Sequence, residues 1–203
     1  MKKVTLDLAN KFNDKYDLTN EYEHYRVEEA ALNDIFKMFP NNNKIEHILI
    51  KVVLLNKFYS TNIKATRAVA DNILKLQIDK SLDEGKENIV EKIANVSFKD
   101  SKTKKIINKR FYSFATKYCH KSKPDSYPIY DSNVDYILRK YRKENREHFK
   151  FSNADLKDYK EFKKIINDFR DYYKLDSLNY RRLDHFLWLY GKDEKNKQMK
   201  KKS

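Results

Sequence analysis

The stretch Tyr127-Pro128-Ile129-Tyr130-Asp131-Ser132-Asn133-Val134 presents a carboxylate after a proline-stiffened approach, at the head of an apolar stripe with helical spacing. There Asp131 suits an N-cap, its oxygens accepting backbone N–H groups of the first turn. Beside a basic groove the same presentation suits a catalytic carboxylate. Such a group stabilises an oxocarbenium ion or activates water at a flipped nucleotide. The second grouping is basic. Lys99, Lys102, Lys104, Lys105, Lys109 and Arg110 lead into Lys117, Lys121 and Lys123, and Arg139, Lys140, Arg142, Lys143 and Arg146 follow the turn at 123–128. Tyr112, Tyr118, Tyr130 and Tyr141 are interleaved. Lysines that track a phosphate backbone and rings that stack on bases make a nucleic-acid face. The plainer alternative is that lysines solvate outer faces and tyrosines fill the core.

Metal and thiol chemistry find less support. Glu21 and His24 have the i, i+3 spacing of di-iron bundles, which need a second Glu-x-x-His that this chain lacks. There is no HExxH and no paired-cysteine motif, so neither a metal nor a cofactor is expected. Cys119 and His120 are neighbours on a helix, where adjacent side chains diverge, so Cys119 reads as a core residue. Trp188 reads as a seal on the core or its rim.

These side chains must be carried by helices. The chain has 203 residues with only 2 glycines and 3 prolines. Tight hairpins need residues that tolerate positive φ. Every Gly-rich phosphate loop and the GxSxG elbow are absent, which excludes Rossmann enzymes, P-loop NTPases and α/β-hydrolases. Apolar residues recur at helical spacing up to Pro40, then over 45–58, 65–74, 89–94, 106–118, 134–141, 156–172 and 183–190. Ser60, Thr61 and Asn62, then Ser152 with Asn153, then Asp176 with Ser177, read as helix caps. Gly191 reads as the stop of the last helix. The expectation is an all-α bundle of about eight helices without strands. It forms one domain over 1–191, followed by a charged, disordered tail over 192–203.

The net charge is +14. It is uneven: 99–150 holds 15 basic and 6 acidic residues, against 7 and 9 in 1–50. A lysine-rich genome would spread the excess, so the clustering favours a polyanionic partner. With 1 cysteine no intramolecular disulfide is possible, and the N-terminus has no apolar signal core. No apolar run is long enough to span a bilayer. A cytoplasmic protein without membrane contact is expected.

The stretch FYSFATKYCHKSKPDSYPIYDSNV, Phe111 to Val134, resembles the core of the helix–hairpin–helix DNA glycosylase superfamily. Ala115 corresponds to the alanine closing the family's hairpin. Pro128, Ile129, Asp131 and Val134 correspond to its proline-hydrophobic-x-Asp-x-x-Val segment. Leu55 to Ile63, with Ala65, Ala68 and Ala70, resembles the family's early helix. The likeness covers about residues 45–140. It departs at the hairpin, whose glycines are replaced by Asn108 to Phe114, and at the lyase lysine, whose place falls on Ser113. The resemblance implies a helical fold in two lobes with a DNA groove between them. Ser60, Thr61, Asn62 and Asp131 would line that groove.

The function expected is nucleic-acid binding, DNA before RNA, on such a fold. Lys104, Lys105, Lys109, Arg110, Lys117, Lys121, Arg139, Lys140, Arg142 and Lys143 would contact phosphate. Two alternatives stand beside it. One is an active monofunctional glycosylase using Asp131. The other is a helical adaptor whose charge reflects genome composition.

Overall fold

The computed structural model describes residues 3–100 and 102–200. The final three residues of the expected tail lie outside them. Among the described residues the protein is all-α, with one small two-stranded sheet. It divides into two compact units, residues 24–127 and residues 1–23 with 128–203.

In the first unit, α2 (Glu23–Met38) ends before Pro40. It is followed by α3 (Ile45–Phe58), α4 (Thr66–Leu76), α5 (Asp79–Asp83) and α6 (Asn88–Ala94). Then come β1 (Asn95–Lys99), β2 (Ile106–Arg110) and α7 (Tyr112–Ser122). α3 packs on α4 and α7, and α6 packs on α7. Ile48, Val52, Leu55, Val69, Ile73, Val90, Ile93, Phe114 and Ala115 are fully or almost fully buried between them. Cys119 is a core residue, and burial pushes its thiol far up, so it is inert.

A polar network ties the loop after α2 to this core. Lys51 is wholly buried. Its amine donates to the Phe39 carbonyl at 3.0 Å and to Asn42 Oδ1 at 2.6 Å, and that oxygen also accepts from Tyr118 Oη at 2.6 Å. Asn42 in turn donates from its backbone and side chain to Asp79. Asn42 thus relays the Asp79 charge toward Lys51. Even so, burial outweighs Asp79 and pushes the Lys51 amine down to about 8.

The second unit contains α1 (Leu6–Leu18), α8 (Ser132–Glu144), α9 (Tyr159–Tyr172) and α10 (Tyr180–Lys200). α10 packs on both α1 and α8. Its core is aromatic: Tyr141 meets Phe169 edge-on at 5.3 Å and Phe186 stacks on Tyr190 at 5.7 Å. Trp188 stands edge-on to Tyr16 and Tyr22 at the rim of this core.

Four sequence expectations are corrected. First, residues 95–99 and 106–110 form strands, with Val96 and Phe98 alternating with polar neighbours at period two and Ile107 opposite Phe98. Second, Gly191 does not stop α10, which runs on to Lys200 with Glu194 buried. A Cβ on Gly191 would lie 2.5 Å from the Asn133 carbonyl oxygen, so this glycine serves the close approach of α10 to α8. Third, residues 60–62 do not cap α4. They form the loop after α3, with Ser60 and Asn62 at positive φ, and Asn56 Oδ1 accepts from Thr61 Oγ1 and from the Ile63 N–H. Fourth, Asp158 caps α9 and the Asn179 side chain accepts from Arg182 N in the first turn of α10, displacing the Ser152 and Asp176 readings. Ser152 instead receives the N–H groups of Ala154 and Asp155 at a short 3-10 turn.

Candidate nucleic-acid interface

The basic residues expected to act together fall in both units. In the first unit they concentrate on the ribbon of β1 and β2. The strands pair antiparallel, with Asn95 opposite Arg110, Phe98 opposite Ile107 and Lys99 opposite Ile106. Val96 is buried and Phe98 half-buried, which fastens the inner face. The base of the ribbon is closed by the Phe111 N–H donating to the Ala94 carbonyl at 2.8 Å. Arg110 is part of this anchorage. Its guanidinium makes a bidentate pair with Glu91 (2.7 and 2.9 Å) and lies 4.4 Å from the Tyr112 ring centroid. So Arg110, expected at phosphate, is engaged with Glu91 and Tyr112 at the foot of the ribbon.

The far end of the ribbon is different. Lys99, Lys102, Lys104 and Lys105 lie there, while Lys109 stands nearer the base, opposite Val96; all five are exposed, and none has an ion-pair partner among the described residues. The one acid nearby is Asp100. Its Oδ1 accepts from Lys102 N, Thr103 N and Thr103 Oγ1, and these bonds, led by that from the Thr103 backbone, hold its carboxyl below the usual range. Asp100 is thereby committed to shaping the turn, with Lys104 at φ 59. This end therefore carries four ammonium groups without an ion-pair partner, beside the one Asp100 carboxylate.

The lysines of α7 are placed otherwise. Lys117 and Lys121 are buried, at 4% and 7% exposure. The Lys121 amine bonds Glu29 at 3.1 Å and Asn33 at 2.8 Å, and that of Lys117 bonds Ser113 Oγ at 2.7 Å. Both leave the phosphate-contacting set because α7 is covered on its polar face as well as its apolar one. Ser60 and Asn62 are exposed, and Thr61 is half-buried with its hydroxyl spent on Asn56.

In the second unit, Arg139 pairs with Asp135 at 2.7 Å, Lys140 with Glu194 at 2.9 Å, and Arg142 donates to the Phe151 carbonyl at 2.7 Å. Burial works against the Lys140 charge, and the Glu194 hydrogen bond prevails, leaving its amine raised. Lys143 is exposed. Three of these four expected phosphate contacts therefore brace α8.

Asp131 is the N-cap of α8. Its Oδ1 accepts from Asn133 N at 2.7 Å and Val134 N at 2.9 Å, while Oδ2 takes no hydrogen bond among the described residues. The Lys195 amine lies close by, donating to the Ser132 carbonyl and to Asn133 Oδ1, each at 2.7 Å. Burial lowers the Lys195 amine, opposed by the charges of Asp131 and Asp135. Around the next turn, Tyr130 donates to Asp135 at 2.9 Å and accepts from Lys157. The result is a carboxylate oxygen set at a helix start with the Lys195 amine close to it. Lys195 escaped the sequence reading because Gly191 looked like a helix end. The ribbon escaped it because Ile106-Ile107 also fits a helical stripe. The period-two run Val96, Phe98 and the turn formers Asp100 and Thr103 were the signals for it.

Fold and site together define a helical protein that carries a basic β-ribbon between two helices. The family model HI_0787_N, an N-terminal domain, matches residues 9–126. An uncharacterized protein of Haemophilus influenzae is 37% identical over 150 residues, covering 73% of this chain and 68% of that protein. The chain belongs to this family. The family match takes in the ribbon and the loop at 60–62 and stops short of Asp131. No solved structure matches the chain. No helix among the described residues is long and apolar enough to cross a membrane.

Proposed function

We propose that this protein binds nucleic acid, DNA before RNA, through the ribbon of residues 95–110, in the cytoplasm. The observation that carries the reading is the set of five exposed lysines without ion-pair partners along the ribbon, four of them at its far end. Two-stranded ribbons enter DNA grooves, and each ammonium placed on a phosphate releases a counterion. Fluorescence anisotropy with a labelled duplex and a single strand, at low and moderate salt, tests it. The expected result is duplex binding whose log–log salt slope is steeper than about −3, for most of the five lysines engaged. Absence of binding at low salt would favour the helical adaptor and a protein partner.

A second reading is base excision on a glycosylase-like fold. The free Oδ2 of Asp131 supports it, since a carboxylate oriented by the helix start through its other oxygen can face a developing oxocarbenium ion. Asp131→Asn, which keeps a capping oxygen, should abolish release of a base from damaged duplex while the protein stays folded. Undiminished release from that variant would remove Asp131 from the chemistry.

A further inference from the structure

The outer face of the ribbon has a composition that stability does not account for. By register, the side chains sharing that face are Asn95, Ser97 and Lys99 on β1 and Ile106, Asn108 and Arg110 on β2. Five of the six are polar, as a solvated face should be. The sixth, Ile106, is 66% exposed. It sits opposite Lys99 and directly follows Lys104 and Lys105. Its neighbour Ile107, on the inner face, is half-buried and meets Phe98 across the strands, so the ribbon does not depend on Ile106 for its packing. An exposed β-branched residue at the end of a ribbon also invites edge pairing, which the surrounding lysines oppose. The arrangement is one exposed apolar side chain at the last pair before the turn, with Lys99 opposite it and Lys104 and Lys105 just before it in the chain.

Duplex DNA matches that arrangement part for part. Its phosphates lie on either side of a groove, and its base stack is an apolar surface at the groove floor. Apolar wedges inserted between base steps are a recurrent device of groove-binding proteins. The cost is the unstacking of that step, about a few kcal/mol, and it falls where the step is already weakened.

We infer that Ile106 is a wedge that enters the base stack of duplex DNA at a weakened step, while Lys99, Lys104 and Lys105 grip the flanking phosphates. This deepens the nucleic-acid reading above and rests on it. The wedge makes the ribbon a sensor of local duplex damage as well as a point of attachment. Ser97 and Asn108, opposite each other on the same face, are the next side chains along and stand in line with the opened step.

The test compares full-length protein on two labelled duplexes of one sequence, one intact and one with a tetrahydrofuran abasic analogue. Wild type should bind the abasic duplex at least tenfold more tightly. Ile106→Ser should bind the intact duplex within about twofold of wild type, and its preference should fall to near unity. Ile106→Leu should keep the preference. Lys104→Gln with Lys105→Gln should weaken binding to both duplexes alike and flatten the salt slope by about 2. Salt-dependent binding without abasic preference, or a preference that survives Ile106→Ser, would overturn the wedge and leave the binding reading intact. Absence of duplex binding by wild type would overturn both.

Discussion

Asp131 and Lys51 show how much a single polar residue decides here, in opposite ways. Asp131 is satisfied through one oxygen and free at the other. Its cap has a measurable worth. Asp131→Ala should cost about 1 kcal/mol of stability, read from urea midpoints, whereas Asp131→Asn should cost a few tenths. Equal losses in the two would mean that the cap is not what the carboxylate supplies. Lys51 carries the opposite balance. Its amine is pushed from 10.5 to about 8 by burial. The folded state therefore binds fewer protons than the unfolded chain between those values. The destabilising contribution is fully present below pH 8 and fades as pH rises toward 10.5. Between pH 7.5 and 9.5 the wild type should gain about 1–2 kcal/mol relative to Lys51→Met. A difference between the two proteins that does not change with pH would show that Lys51 is not the titrating group. Asp131 was legible as a cap because a carboxylate before an apolar helical stripe has few other local roles. Lys51 was not, because a lysine inside an apolar run looks like an interruption until Asn42 and Tyr118 are brought to it by the fold.

The elements teach a similar lesson about glycine. In a chain with two glycines each position carries weight, and Gly191 looked like punctuation. Its real work is tertiary: α10 lies so close to the first turn of α8 that a methyl group would meet the Asn133 backbone at 2.5 and 2.9 Å. Neither carbonyl atom can turn aside as a side chain would. Gly191→Ala should therefore destabilise by about 1–3 kcal/mol, even though alanine favours a helix by about 1 kcal/mol. Thermal unfolding would show it, and a gain in Tm would mean that the two helices can separate at no cost. The helical stripes were legible because their period survives any packing. The ribbon was not, because five-residue strands give period two little room to declare itself, and Ile106-Ile107 satisfies both periods. The same ambiguity hid the candidate interface. The basic residues were visible in the sequence, but which lysines are spent inside the fold depends on helix faces. α7 buries Lys117 and Lys121 against partners 58 to 92 residues away or one turn along.

At the scale of the whole molecule, the charge of +14 is not spread as a uniform coat. Much of the surplus in 99–150 is consumed by pairing: Arg110 with Glu91, Lys121 with Glu29, Arg139 with Asp135 and Lys140 with Glu194. Of the cations left without a partner in 99–150, five lie on the ribbon, while Lys143, Arg146 and Lys150 lie beyond it. Net charge alone pointed to a polyanion. The pairing pattern narrows the first unit's share of that charge to the ribbon lysines. The same five lysines set the predicted salt dependence, because screened charges elsewhere add little to a contact that releases counterions.

The most direct test of this account is the salt dependence of duplex binding by wild type and by a variant with Lys102, Lys104 and Lys105 changed to Gln. All three residues are exposed and unpaired, so the variant should fold as the wild type does. The account predicts that the wild-type slope of log affinity against log salt flattens by about 3 in the variant, with affinity at low salt reduced at least tenfold. An unchanged slope would contradict it and place the nucleic-acid contact, if any, away from the ribbon.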